Sequence, residues 1–329
     1  MAWGKAGSTT LTTTGDTITV SSLSANTYFQ VLGYKQSSGN SDFNWRVGNG
    51  SADSGNNYAR RQSSNGGGDT TNTGYSRMFA DNGGASTPSF QVGYFANKSD
   101  KQKLNITHSV SQGTAGEGVA PTRRESVNKW TDTSNPIDVI QGVNVEGGDF
   151  ASGSEVVVLG WDESDTHTDN FWEELASVEL GSAGDTLDSG TITAKKYLWF
   201  QVYTEGANTE TQFKFNSTTG QEYASRRSGD GGSDSEFPNE YQSKINATGG
   251  ASHTACLMNG FIINNSANEK LVITHQVAVE QTGSGTAPRR SEGVTKWANT
   301  SDSITSIQII NKSTGNFGTN SILKVWGSN

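Results

Sequence analysis

The stretch LNITHSVSQGTAGEGVAPTRRESVNKW, residues 104–130, decides the fold because it recurs as LVITHQVAVEQTGSGTAPRRSEGVTKW, residues 271–297. The match runs without a gap from residue 104 to 160 and from 271 to 327. The identical residues include a histidine in the opening strand-like segment, an Ala-Pro pair and a Lys-Trp pair. A repeat of this length indicates one duplicated domain, and not a solenoid of short units.

The duplication extends outward from that core over most of the chain. Tyr58-Ala59 matches Tyr223-Ala224, and Trp3 has a counterpart in Trp172. We therefore predict two tandem domains of ordinary size, residues 1–161 and 171–329. Residues 162–170 are polar, acidic and without apolar periodicity, so we predict that they form the linker.

The composition predicts a globular chain and excludes some partners. The sequence has 40 glycines, 31% apolar residues and a net charge of −9. An acidic balance argues against nucleic-acid binding, which draws on clustered Lys and Arg. The single cysteine, Cys256, cannot form an intramolecular disulfide. The N-terminus lacks the apolar run of a signal peptide, and no stretch approaches membrane-spanning length, so we expect synthesis in a cytoplasm and no membrane partner.

Short alternating segments separated by Gly, Asn, Ser and Asp clusters predict β-strands, about seven or eight in each copy. This spacing is typical of an antiparallel sandwich or barrel. In the segment 104–110, Leu104, Ile106, His108 and Val110 share one face, which we expect to face the core. The one predicted helix is NFWEEL, residues 170–175, where Asn is followed by Glu three positions on.

The strands also predict which face points away from the core. Val156 and Val158 should point inward, and Val157 and Leu159 outward, so the outward face of the first copy is apolar and should be covered. Several aromatic residues fall on the outward faces of their strands: Tyr28, Tyr34, Trp161, Trp199, Tyr203 and Trp326. These residues form either a second layer of core or a platform that binds a sugar or a protein partner.

Two repeated polar loops are further candidate sites. A Gly-rich loop carries Arg61 and Asp69 in the first copy and Arg226 and Asp234 in the second. Calcium is one possible ligand, but the spacing is not that of an EF-hand, and a glycine-rich β-turn with Arg–Asp pairing fits better. The other repeated loop is residues 120–125, which recurs as residues 287–292. In this loop we expect Arg123 to pair with a nearby glutamate, in preference to binding a ligand.

The sequence contains no recognisable catalytic constellation. The patterns of phosphate-binding and dinucleotide-binding loops and of nucleophile elbows are absent. His108 and His275 lack a second ligand nearby in sequence, and no carboxylate pair suited to glycoside hydrolysis is held in both copies. We therefore expect no enzyme activity, no cofactor and no metal.

The end of each copy, FASGSEVVVLG (residues 150–160) and FGTNSILKVWG (residues 317–327), resembles the closing strand of jelly-roll structural proteins of tailed bacteriophages. The preceding ITSIQI (residues 304–309), the Ala-Pro-Arg-Arg motif and the Lys-Trp pair strengthen the resemblance. It implies an all-β fold of two tandem antiparallel jelly-roll or β-sandwich domains. It also implies a virion component, either a capsid decoration (cement) protein or a head or tail fibre.

From this resemblance we expect a non-enzymatic structural protein on the virion surface, made in the host cytoplasm. Its partners would be the major capsid protein or neighbouring copies, in an oligomer such as a trimer. Two linked domains would strengthen attachment by multivalency. The alternative is a receptor-binding or carbohydrate-binding fibre protein, in which the exposed aromatic residues contact a host glycan. The third class is a glycan-degrading enzyme, but this sequence does not show the carboxylate pair that such an enzyme needs.

Overall fold

The computed structural model describes residues 3–81, 87–161, 170–245, 253–281 and 283–329. The chain divides into two compact units. The first comprises Met1–Gly113 and Thr122–Phe171, and the second comprises Thr114–Pro121 and Trp172–Asn329. The short segment Thr114–Pro121, which belongs to the first copy of the repeat in sequence, thus groups with the second unit. Residues 162–169 of the predicted linker lie outside the described residues, and the domain boundaries stay a prediction.

The first unit contains thirteen of the strands in the described residues. They are β1 (Gly4–Thr10), β2 (Thr17–Val20), β3 (Tyr28–Lys35), β4 (Phe43–Asn49), β5 (Ser51–Ala52), β6 (Tyr58–Ser64), β7 (Thr70–Tyr75), β8 (Met78–Asp81), β9 (Ser89–Ala96), β10 (Lys103–Ser111), β11 (Thr122–Trp130), β12 (Val139–Val143) and β13 (Glu155–Trp161).

The second unit contains the other strands of the described residues. They are β14 (Glu173–Glu179), β15 (Thr186–Asp188), β16 (Tyr197–Thr209), β17 (Thr211–Phe215), β18 (Tyr223–Gly229), β19 (Ser235–Glu240), β20 (His253–Ile263), β21 (Lys270–Val279), β22 (Arg289–Trp297), β23 (Ile307–Asn311) and β24 (Ile322–Ser328).

Each unit is an antiparallel β-sandwich. In the first unit an eight-stranded sheet has the order β1-β13-β3-β9-β10-β11-β6-β7, and a smaller sheet has the order β2-β12-β4-β5, with β8 also paired to β4. The core lies between the sheets and includes Phe29, Trp45 and Trp130. Val156 and Val158 belong to it, as the alternation in β13 predicts.

The second unit repeats the large sheet strand for strand, and the described part of its small sheet repeats β2, β12 and β4 without counterparts of β5 and β8. Its large sheet has the order β14-β24-β16-β20-β21-β22-β18-β19, and its small sheet has the order β15-β23-β17. Its core includes Phe200, Phe213 and Trp297, which are all fully buried. The predicted all-β fold with two tandem sandwich domains is confirmed.

The predicted helix at residues 170–175 is wrong. The backbone from Glu173 to Glu179 forms β14, which pairs with β24 through a bulge between Glu174 and Ala176. Leu175 and Val178 pack against the core of the second unit. The capping pattern is a local signal, and the sheet edge offers a long-range pairing that satisfies the same backbone groups. None of the described residues forms a helix long and apolar enough to cross a membrane.

The predicted direction of β10 is also wrong. Leu104, Ile106, His108 and Val110 do share a face, but none of them belongs to the core between the sheets: Leu104 and Ile106 are exposed and His108 is half-buried, and only Val110 is buried. The core-facing side chains of β10 are polar instead, namely Asn105, Thr107 and Ser109, and all are buried. A period of two fixes which side chains share a face, but it does not say which face is buried.

Candidate functional site

Three aliphatic side chains form an exposed strip on the large sheet of the first unit. Leu104 and Ile106 lie on β10 and Val127 on β11, and about half of each side chain is exposed. Ile106 and Val127 are direct partners across the two strands. We call Leu104, Ile106 and Val127 the apolar strip. A contiguous apolar surface on a strand pair is a typical protein-binding feature, whereas isolated exposed apolar residues are ordinary.

The apolar strip faces away from the core because the side chains on the other face of β10 and β11 hydrogen-bond the backbone of β8. Asn128 on β11 accepts a hydrogen bond from the Phe79 amide at 2.9 Å, and Ser126 donates to the Phe79 carbonyl at 2.7 Å. Ser109 donates to the Ala80 carbonyl at 2.8 Å. Buried backbone groups need such partners. The polar side chains must therefore point inward, and the aliphatic side chains between them point outward.

Charged and polar residues border the apolar strip. Arg61 on β6 is the direct partner of Val127, and Lys129 lies beyond it on β11 with its side chain exposed. Together with Thr71 and Thr73 on β7, these residues line a shallow groove of about 460 Å³. An apolar centre with a charged rim matches the anatomy of protein interfaces.

The predicted aromatic surface is only partly present in the first unit. Tyr28 and Trp161 are neighbours on adjacent strands, with ring centroids 5.3 Å apart. Tyr28 is exposed and Trp161 is half-buried. Tyr34 is on the same face but is fully buried, so it is not available to a ligand. Val157 and Leu159 are also buried, as the prediction of a covered outward face requires.

In the second unit the aromatic residues stack on one another. Trp199 lies between Trp326, at a centroid distance of 4.4 Å, and Phe261, at 5.9 Å, and both pairs are stacked. The Trp199 indole N–H donates to the Asn259 side chain at 2.6 Å. A sugar needs an open ring face, and both faces of Trp199 are occupied. Of the predicted set in this unit, only Tyr203 is strongly exposed.

The Gly-rich loops are tight hairpin turns. In the first unit Asn65 and Gly66 both have positive φ, and the Gly67 amide donates to the Ser64 carbonyl at 2.9 Å. This geometry is a type I′ turn, which suits the twist of paired strands. Asp230 and Gly231 repeat the positive φ values in the second unit.

The predicted pairing of arginine with aspartate differs between these two loops. Arg61 pairs with Asp69 at 3.3 Å on the surface. Arg226 pairs instead with Glu236 at 2.5 Å, and its Nε donates to the Pro121 carbonyl at 2.7 Å. Asp234 lies on the same hairpin loop and is half-buried. Arg226, on β18 beside this loop, therefore contacts the segment Thr114–Pro121.

The other polar residues that the sequence analysis selected have structural partners. Arg123 pairs with Glu125 at 2.5 Å, as predicted. His108 is half-buried on the same face of β10 as Leu104 and Ile106, with its Nδ1 3.8 Å from the Glu125 carboxylate.

Burial raises the pKa of the Cys256 thiol to about 11, which leaves little thiolate for nucleophilic chemistry at neutral pH.

The alternation in residues 104–110 predicted Leu104 and Ile106 to face the core, so the apolar strip was not predicted from the sequence. A signal was present in the comparison of the two copies. Core-facing positions of β10 hold Asn105 and Ser109, whereas the matching positions of β21 hold Val272 and Gln276. When one face of a strand is aliphatic and the other is wholly polar, as in β10, the sequence of that strand does not show which face is buried. Here the contacts with β8 decide it.

No family model matches this chain, and no curated protein matches it. Among solved structures it is similar to domains LG4-5 of the mouse laminin alpha1 chain, at 10% identity and a TM-score of 0.22, over 99% of this chain and 91% of that one. It is also similar to Ail, the attachment invasion locus protein of Yersinia pestis, at 6% identity and a TM-score of 0.15, over 83% and 99% of the two chains. TM-scores this low support no inference about function.

Proposed function

We propose that this protein is a non-enzymatic structural protein of a virion, a capsid decoration protein that binds neighbouring protein subunits through its β-sheet faces. The observation that carries the proposal is the apolar strip of the first unit with its rim of Arg61 and Lys129. Such a surface suits a flat protein partner. The virion assignment draws its support from the resemblance of the closing strands, β13 and β24, to jelly-roll proteins of tailed bacteriophages.

The aromatic residues favour this proposal over a glycan-binding fibre. Tyr34 is buried, and both ring faces of Trp199 are covered by other aromatic rings. The most exposed large apolar side chain of the described residues is Leu104, an aliphatic residue. Tyr28 and Tyr203 are exposed, but the apolar strip contains no aromatic ring, and an aliphatic surface suits a protein partner better than a sugar.

Co-sedimentation with capsids that lack the protein tests the proposal. We expect saturable binding at many copies per particle. Val127→Lys places a charge in the apolar strip and should weaken binding, whereas Val277→Lys, at an exposed valine on β21 of the second unit, is the matched control. Saturation at wild-type affinity by Val127→Lys, or binding to host glycans with none to capsids, would overturn the proposal.

A further inference from the structure

The segment Thr114–Pro121 is held against the large sheet of the second unit, and we call it the docked segment. It runs between the ends of β10 and β11 in sequence, yet its partners are residues of β18, β19 and β22 and the residue just before β21. Four hydrogen bonds hold it: Arg226 Nε to the Pro121 carbonyl at 2.7 Å, the Asn239 amide to the Glu117 carbonyl at 2.9 Å, the Gly116 amide to the Glu269 carboxylate, and Lys296 Nζ to the Thr114 carbonyl.

These contacts place the docked segment over a face of β21 and β22. The side chains of that face, Leu271, Ile273, Val294 and Lys296, are exposed by 0%, 3%, 1% and 0%. Lys296 also lies 3.7 Å from Glu269, so its buried charge has an acidic partner. We call these four side chains the covered face.

The first unit carries the same four side chains at the equivalent positions, and there they are exposed. The repeat offset takes Leu271, Ile273 and Val294 to Leu104, Ile106 and Val127, the residues of the apolar strip. Their exposed fractions are 57%, 50% and 48%. Lys296 corresponds to Lys129, which is exposed as well. These four residues are identical in the two units, so their identity cannot explain the difference in exposure.

The hydrogen-bonding groups that hold the docked segment also recur around the apolar strip. Arg226 corresponds to Arg61 in the aligned Gly-rich loops. Asn239 of β19 corresponds to Gly74 of β7, and both have positive φ, 55° and 63°. Glu269 corresponds to Gln102, whose side-chain oxygen can accept the same amide hydrogen bond. The first unit thus has a complete equivalent of the covered face.

The second copy of the repeat supplies an equivalent of the docked segment. Residues 283–288 match residues 116–121, and Ala287-Pro288 is identical to Ala120-Pro121. Gly116 and Gly283 have nearly equal φ values of 86° and 89°. Ala120 and Pro121 are buried, whereas Ala287 and Pro288 are exposed. One chain therefore presents an exposed strip and an exposed segment of the kind that covers the equivalent face of the second unit.

We propose that the partner of the apolar strip is a second copy of this chain, whose residues 283–288 dock on it as Thr114–Pro121 docks on the covered face. Arg61 would donate to the Pro288 carbonyl, and the Gly74 amide to the carbonyl of residue 284. This inference deepens the proposed function, on which it rests for its setting, by naming the partner. Since the strip and the segment are different surfaces, the contact is heterologous and builds a ring or an open chain.

The test is the assembly state of the purified full-length chain without capsids, measured by sedimentation velocity up to about 0.5 mM, because contacts of this size can be weak. We expect concentration-dependent association. Ile106→Lys in the strip and Ala287→Asp in the segment should each weaken it by at least about tenfold. Val277→Lys, an exposed position outside both surfaces, should leave it unchanged.

Mixing the two defective variants gives the sharpest outcome. Ile106→Lys keeps a working segment and Ala287→Asp keeps a working strip, so an equimolar mixture should form a dimer and stop there. Unchanged circular dichroism and melting temperature establish that both variants fold. A wild-type chain that stays monomeric to about 0.5 mM, association unaffected by either variant, or a mixture that stays monomeric would overturn the inference. Capsid co-sedimentation tests the proposed function separately, because strip-dependent capsid binding by a monomeric chain would sustain that function without self-association.

Discussion

Substituting the same leucine in the two units should have very different effects on stability. Leu271→Ala and Leu104→Ala remove the same side chain from equivalent positions on β21 and β10, each opposite a lysine of the next strand. Leu271 is fully buried beneath the docked segment, and more than half of Leu104 is exposed. The intrinsic cost of alanine in a strand is common to both variants and cancels in the comparison.

The magnitudes follow from burial. Truncating a buried leucine to alanine costs about 2–5 kcal/mol, and a covering segment of backbone can relax, so we expect about 2–3 kcal/mol for Leu271→Ala. An exposed position usually changes stability by less than about 0.5 kcal/mol. With a urea m-value of about 1–3 kcal/mol per M, the midpoint for unfolding of the second unit should fall by about 1 M.

Urea titration of the full-length chain, followed by circular dichroism, measures both midpoints. The protein concentration must lie below that at which the chain associates, since association would bury Leu104 and raise its cost. Two units can unfold in two transitions, so each transition is fitted separately. Equal midpoint shifts for the two variants, or a larger shift for Leu104→Ala, would refute the assignment of a covered face to the second unit alone.

Three further changes have outcomes fixed by the structure. Burial alone would raise the pKa of Asp53, but the hydrogen bonds that its carboxylate accepts from Trp130, Asn57 and Gly55 hold the pKa below its usual value. The stabilisation by this carboxylate should be present above the unfolded pKa of about 3.9 and be lost as the pH falls through the folded pKa. Asp53→Asn should remove this part of the acid dependence of the urea midpoint. Burial lowers the pKa of His253, so the free energy of unfolding should decrease as the pH falls through about 6.5, a loss that should be absent from the pH titration of His253→Phe. Gly260→Ala would push a Cβ into a core phenylalanine ring and should lower the free energy of unfolding by about 1–3 kcal/mol, whereas Gly93→Ala, at the equivalent position with more room, should cost less in the same denaturation assay.

Much of the fold could be predicted from the sequence because the duplication supplies two independent readings of each strand. The alternation in β13 correctly placed Val156 and Val158 in the core. The Gly-rich segments at Asn65-Gly66 and Asp230-Gly231 form the predicted turns, since positive φ at both central positions favours Asn, Asp and Gly. These features depend on local backbone preference and on side-chain period, which a sequence displays directly.

The features that the sequence did not predict depend on distant parts of the chain. The direction of β10 is set by β8, whose amide and carbonyl groups bind Asn128 and Ser126. The strand at Glu173–Glu179 is set by pairing with β24, far along the chain. The accessibility of an outward aromatic residue also depends on its neighbours, because an outward position on a strand does not reveal that Trp199 has rings on both sides.

The covered face and the apolar strip show why the candidate site lay beyond a reading of one sequence. Leu104 and Leu271 occupy equivalent positions, each opposite a lysine of the next strand, and they differ in whether a segment lies over them. A segment as short as residues 283–288 buries far less area than a standard protein interface of about 1,600 Å², so a single such contact between chains should be weak. Weak contacts that repeat head to tail become strong only when many chains are held together. A protein of this design should therefore assemble cooperatively on a surface that concentrates it, which is the setting that a capsid shell provides.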